Sequence, residues 1–365
     1  MRWNDWKTGA PLLLWIIVAS TMVACIGGSS FLGYSISGYA WAVPLAAALV
    51  YYLVKQGRIT FPVHIWIPWI AVVLIYLSFA EAENAFQRSI MILCPLLIGI
   101  AVSAGNYTAG DLAAFRKACC WLGVVLCVST VFKTGMHLTG TLPKTSGLAP
   151  EVMTGALLCT IFATNYMFGS KPDLYWWAAL AMIPVVALTR MGIFAAGLSL
   201  PLTFAPMKLL KRLVLAAMIV IAGYSFFFTE RVQQKTFYSG SGTFQDIRWD
   251  NPNLATSGRR YIWDHMQGQI DSRPWFGHGA NASEPFVLRL TGAMTHPHND
   301  WLRLLYDYGY VGTVTFAFCM LWQMVHLLRT GMKTAGMTRI LFYAGASSFL
   351  VFSLFMSTDN IILYA

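Results

Sequence analysis

The sequence predicts an all-α polytopic membrane protein, with about 11–12 transmembrane helices and one large, partly helical loop on the outer face. Three observations predict this class. Only 11% of the 365 residues are charged, where a soluble globular chain carries roughly 25%. Hydrophobic residues make up 57% of the chain, and the mean hydropathy is +0.58. Apolar runs of spanning length recur along almost all of it. The net charge of +10 would suggest nucleic acid in a soluble protein. Here the basic residues lie on loops where membrane orientation requires them, so no nucleic-acid partner is expected.

Apolar segments fall near 10–27, 38–54, 62–80, 89–104, 117–132, 151–168, 174–188, 191–206, 212–228, 299–328 and 340–357. No cleavable signal peptide is read, because Leu12–Cys25 is a full apolar segment without a small-residue cleavage motif. The 299–328 segment exceeds the bilayer and is expected to begin as a helix standing out of it. A twelfth span would begin at Asn360 in a chain continuing past Ala365. The seven cysteines all fall in apolar runs, match no zinc spacing, and read as small hydrophobes.

Short-loop charges set the orientation. With Arg2 and Lys7 inside, so are Lys55/Arg58, Arg116/Lys117, Lys171, Lys208/Lys211/Arg212 and Arg329/Lys333/Arg339. The alternate loops carry Glu81, Glu83 and Arg88, then 133–150, then Arg190, then 229–298. The expected organisation is therefore 1–228 as the first nine transmembrane helices, 229–298 as a periplasmic loop with short helices, and 299–365 as the C-terminal transmembrane helices.

Within the loop, Thr229–Asn253 reads as polar and glycine-containing, with Gln233, Gln234, Ser239 and Ser241. Ser257–Asp271 reads as a helix capped by Ser257, with Ile262, Met266 and Ile270 recurring on one face. A second short helix is expected from Ser283-Glu284-Pro285 through Leu290.

Several groups there suit chemistry. Arg259 and Arg260 follow the expected cap, so guanidiniums and exposed helix N–H groups would converge on a phosphate or pyrophosphate. The competing reading is a pair of solvated arginines. Arg190 stands alone in LTRMG between two apolar spans, where a charge is costly unless it faces an aqueous cavity, a partner or the headgroups. His298 has the residue type of a general base. Beside it, Asn299 is placed to orient a substrate and Asp300 to hold the imidazole tautomer; a helix-capping polar cluster is the plainer alternative. Arg303 and Asp307, four apart, read as a structural couple.

If Thr295–Gly312 is helical, His298, Leu302, Leu305, Gly309 and Gly312 share a stripe, with the two glycines admitting a neighbouring helix. The four loop histidines (His265, His278, His296, His298) match no metalloprotease spacing, and paired carboxylates for magnesium are absent. No metal and no other cofactor is expected.

The run His298-Asn299, nine residues, Gly309, two residues, Gly312 resembles the ligase-type motif H-[NSQ]-x9-G-x2-G of the O-antigen ligase/polymerase family of bacterial membrane glycosyltransferases. The stretch Ser257–Gly279, SGRRYIWDHMQGQIDSRPWFGHG, resembles that family's segment of arginine, tryptophan and proline–glycine turn. The resemblance implies a GT-C-like inner-membrane enzyme that needs neither metal nor nucleotide. Its donor would be O-antigen polysaccharide on undecaprenyl pyrophosphate, and its acceptor a sugar of lipid A–core. Arg190, Arg259 and Arg260 would bind the pyrophosphate, and His298 would deprotonate the acceptor hydroxyl; the rival transferases of this family, O-antigen polymerase and protein O-oligosaccharyltransferase, differ in acceptor, a growing O-antigen chain or a protein serine. Inversion at the anomeric carbon is expected. A carrier or channel for an anionic lipid is the rival from another class.

Overall fold

Helices form where the apolar runs lie, and end where glycine, proline or charge interrupts them. The computed structural model describes residues 10–26, 30–31, 34–35, 41–55, 57–140 and 148–364. The orienting residues Arg2 and Lys7, and part of the 133–150 loop, lie outside the described residues. The helices in chain order are α1 (Ala10–Ile26), α2 (Ala42–Lys55), α3 (Val63–Ser78), α4 (Ala85–Val102), α5 (Ala109–Leu138), α6 (Ala149–Met167), α7 (Pro172–Val186), α8 (Arg190–Leu198) and α9 (Leu209–Phe227). Then follow α10 (Glu230–Thr236), α11 (Arg259–Ser272), α12 (Ser283–Thr291), α13 (Asp300–Lys333), α14 (Gly336–Met356) and α15 (Ile361–Tyr364). Apart from a minimal hairpin, Ser30–Phe31 with Tyr34–Ser35, the regular structure of the described residues is helical.

Five helices, α4, α5, α9, α13 and α14, are long and apolar enough to cross a membrane, and α1, α2, α3 and α7 are shorter apolar helices. This is a multi-pass membrane protein. In the bundle α6 is central: Val152, Met153, Ala156, Cys159, Phe162 and Ala163 are all buried. The 30-residue α5 starts at a capping box, Thr108 with Asp111, that satisfies its first N–H groups. Arg116 pairs with the buried Asp173, and Lys133 with the buried Glu151. Each pair joins residues that the loop charges put on the same side.

One expected span is not a continuous helix. The segment 191–206 yields only α8, nine residues or about 13 Å at the helical rise, against a hydrocarbon core of about 30 Å. Pro201 and Pro206 end helical hydrogen bonding, and the irregular run that follows is satisfied within the protein. Phe204 N–H donates to Ser347 Oγ (3.1 Å), and the Thr164 and Thr203 hydroxyls meet at 3.0 Å.

The 229–298 loop builds a small core of its own. Ile262, Met266 and Ile270 of α11 are buried as their spacing predicts, packed with Val287 of α12 and Tyr306 of α13. The Ser283 start of α12 is also as expected. Two details differ. Ser257 does not cap α11: it has φ 53°, and the cap position falls to Gly258 at φ 79° with no side-chain hydrogen bond. The polar stretch after Thr229 contains α10, which the sequence reading does not assign, with Val232 buried beside Phe227 and Phe237. Phe244 stacks on Phe227 (4.1 Å between centroids), which ties this part of the loop to the end of α9.

Candidate functional site

The His298 motif is explained by a break. Within α13, Gly309 has φ 63° and ψ −170°, a conformation essentially confined to glycine, so the helix is two segments, before and after that residue. A break strands backbone groups, and each finds a partner. The carbonyls of Tyr306 and Asp307 accept from His278 N–H and Gly279 N–H (both 2.9 Å). Tyr308 O accepts from Tyr76 Oη (3.3 Å). The N–H groups of Tyr310 and Val311 donate to Pro274 O (2.8 Å) and Trp275 O (3.1 Å). The turn-rich run 274–279 is thus laced into the gap. A Cβ at Gly309 would overlap the Trp275 carbonyl, and one at Gly277 would overlap Tyr306 O and Asp307 O. The neighbour admitted at Gly309 is therefore this loop backbone, not another helix, and the expected continuous stripe is interrupted. Gly312 lies against Tyr308 and Val72.

Ahead of the break, Asn299 caps α13 by accepting from Leu302 N–H (2.9 Å). His298 precedes the cap, outside the helix, with φ 54°. Its Nδ1 lies 3.2 Å from Asp359 Oδ1. Asn360 Nδ2 is farther from the same nitrogen, at 3.4 Å. The place expected for Asp300 is thus taken by Asp359. Asp300 is wholly buried, accepts from Ile362 N–H (2.8 Å), and donates its own N–H to Asp359 O (3.2 Å). Both contacts hold the tail turn that delivers Asp359. The couple of Arg303 and Asp307 is present, Nε to Oδ2 at 3.7 Å, with Asp300 on the other side at 3.9 Å.

The predicted arginines divide. Arg259 Nη1 donates to Thr358 O (2.6 Å), one residue before Asp359. Arg190 Nη2 donates to Ala255 O (3.2 Å) and feels the charge of Arg259. Arg260 turns away, toward Asp264 (3.8 Å). A third cation joins the first two: Lys235 of α10, whose Nζ donates to Ala187 O (3.4 Å). Burial holds the Lys235 ammonium below its ordinary value, with the charges of Arg190 and Arg259 adding to it. Burial likewise lowers Arg259, against the pull of Asp359. Each of the three cations rests on a backbone carbonyl, and none forms an ion pair with a carboxylate among the described residues. Like charges gathered this way are stabilised by an anion set among them.

Backbone strain marks the same places. Among the described residues, four that are not glycine have positive φ: Leu188, Ser257, Asn281 and His298. Leu188 and Ser257 each lie two residues before a cation of the cluster, and Asn281 donates to Glu284 (3.0 Å) and accepts from Arg303 (3.3 Å). Such conformations cost about 1–3 kcal/mol each and persist where the surroundings over-determine them.

The other loop histidines are dispersed. His265 Nδ1 meets Tyr261 O (2.7 Å), and His278 stacks on Tyr306 (4.5 Å). Burial first, then the charges of Arg303 and Arg88, lower the His296 pKa to about 4. No group of three or more His, Cys, Asp or Glu side chains gathers among the described residues.

Two members of the site escaped the sequence reading, and each carried a signal. Asp359 is the single acidic residue after Asp307, placed at the end of an apolar span, the same kind of cost that drew notice to Arg190. Lys235 is the single lysine of the 229–298 loop. Residues 175–317 match the family model described as O-antigen ligase. That stretch holds Arg190, Lys235, Arg259, His298, Gly309 and Gly312, and stops short of Asp359. No curated protein matches the chain. The cations, the histidine and the glycine break all lie inside the matched stretch, and in that stretch the chain is similar to the O-antigen ligase family.

Proposed function

We propose that the chain is an inner-membrane glycosyltransferase that moves O-antigen polysaccharide from undecaprenyl pyrophosphate to a sugar hydroxyl of lipid A–core, on the periplasmic side. One observation carries the reading: through consecutive residues, Thr358 and Asp359, the tail turn joins Arg259 of the cation cluster to the His298 imidazole.

The chemistry follows from that junction. Asp359 accepts the Nδ1 proton of His298, which leaves Nε2 with its lone pair as the base. Nε2 takes the proton of the acceptor hydroxyl as its oxygen attacks the anomeric carbon. The bond from that carbon to the pyrophosphate oxygen breaks, and undecaprenyl pyrophosphate departs with the electron pair. Arg190, Arg259 and Lys235 neutralise the charge that develops on it, the work a divalent cation does in other phosphate chemistry. Attack opposite the leaving group inverts the anomeric configuration. Of the residues that the sequence assigns to substrate, Arg190 and Arg259 act here directly, while Asn299 and Asp300 serve by fixing the helix start and the tail turn.

Mixing purified protein with lipid-linked glycan and lipid A–core tests this reading. His298→Ala is expected to cut transfer by roughly 10²–10⁴ while lipid pyrophosphate still binds. Transfer near the wild-type rate overturns the base assignment. Glycan appearing only on longer lipid-linked chains makes the enzyme a polymerase, and no transfer by the wild type favours a carrier.

A further inference from the structure

Arg260 leaves the cation cluster for a surface that the reaction above does not use. There Trp249 stacks face to face on Trp263, with ring centroids 4.9 Å apart and planes 15° from parallel. Trp263 is on α11, one turn after Arg259, and its Nε1 donates to Pro297 O (2.6 Å), the residue before His298. Trp249 is 42% exposed although it stacks on Trp263. Planar polar side chains rim it. Arg248 donates to Asp250 through Nε (3.1 Å) and Nη2 (2.7 Å) on either side of the ring in sequence. Trp249 Nε1 donates to Asp264 (3.4 Å), which Arg260 also approaches.

An exposed aromatic face with carboxylates and guanidiniums at its edge is the chemistry that holds a hexose. The electron-rich ring face meets the C–H groups of the sugar, and the planar rim groups exchange hydrogen bonds with its hydroxyls. We infer that Trp249, with Asp250, Arg260 and Asp264, forms a subsite for the acceptor saccharide. The choice of acceptor over donor rests on position: Trp263 bonds the carbonyl of Pro297, next to the base, while Arg190, Lys235 and Arg259 of the donor side rest on Ala255, Ala187 and Thr358. The inference depends on the glycosyl transfer proposed above. It also gives Trp263 a positioning role, since it supports the platform and fixes the strained backbone before the base.

Two measurements on the purified full chain test it. In transfer assays, Trp249→Ala is expected to raise the acceptor KM roughly tenfold, with donor KM unmoved, and Trp249→Phe to restore most of that loss. An unchanged acceptor KM, or a rise confined to the donor, overturns the subsite. Saturation-transfer NMR with the oligosaccharide released from lipid A–core by mild acid reads binding without catalysis. Signal lost in Trp249→Ala and retained in Trp249→Phe supports the subsite even if the wild type transfers nothing, an outcome that would defeat the reaction but not the platform. Equal signal in wild type and Trp249→Ala overturns it.

Discussion

Arg303 and Arg259 lie on helices that share one small core, and their surroundings are opposite. Arg303 is 3% exposed, set between Asp300 and Asp307, and bonded to Asn281. Arg88 is similarly committed, with two hydrogen bonds to Glu284 at 2.9 and 3.1 Å. Arg259, Arg190 and Lys235 instead rest on carbonyl oxygens, and the nearby carboxylate of Asp359 is engaged by His298. A buried cation matched by acids holds the fold together. A cluster of cations left without acids has its charge available for a ligand. In the function proposed, the same residue type thus serves architecture on one side of His298 and substrate on the other, and only the neighbours distinguish the two.

The comparison breaks or sharpens under three substitutions. Arg303→Met strands Asp300 and Asp307 without a cation, and is expected to cost about 3–5 kcal/mol, read as a large fall in the thermal midpoint in detergent. An unchanged midpoint would erase the structural side of the comparison. Arg259→Gln should do the reverse: stability within about 0.5 kcal/mol of wild type, with transfer reduced roughly 10²–10³. If it unfolds the protein instead, Arg259 belongs with Arg303.

The smallest effect concerns His296, which feels the acid-matched cations Arg303 and Arg88. Its pKa in the folded protein, about 4, lies below the ordinary 6.5, through burial first and then Arg303 and Arg88; Glu284 opposes them. Protonation therefore favours the unfolded chain. The stability is complete above the ordinary value and declines as pH falls from there toward 4. The thermal midpoint should be lower at about pH 5 than at about pH 7.5, and His296→Gln should flatten the difference. A pH dependence identical in the variant would move its source elsewhere.

Much of the fold was legible because burial leaves a local imprint. The apolar runs mark the helices, and the recurrence of Ile262, Met266 and Ile270 identifies the buried face of α11. The shortness of α8 was less so: 191–206 carries no charge, and its prolines show their effect only once Ser347 and Thr203 accept from the N–H groups of Phe204 and Ala205. The motif from His298 to Gly312 was legible as a unit, but its meaning changed. Gly309 reads in sequence as a small helix residue, whereas its role is to open the helix to residues 274–279.

By itself the sequence determined the class of the protein, its run of apolar helices, the short helices α11 and α12 of the 229–298 loop, and the isolated charges of the candidate site. Those features depend on composition and on spacing within a few residues, which act through local geometry and transfer from water. Tertiary structure alone decided which charges meet. It chose Arg259 over Arg260, Asp359 over Asp300, and added Lys235, because these side chains come from segments far apart in the chain. Their meeting depends on the path of the loop through the break at Gly309 and on the tail turn held by Asp300, and neither path has a period that a sequence displays.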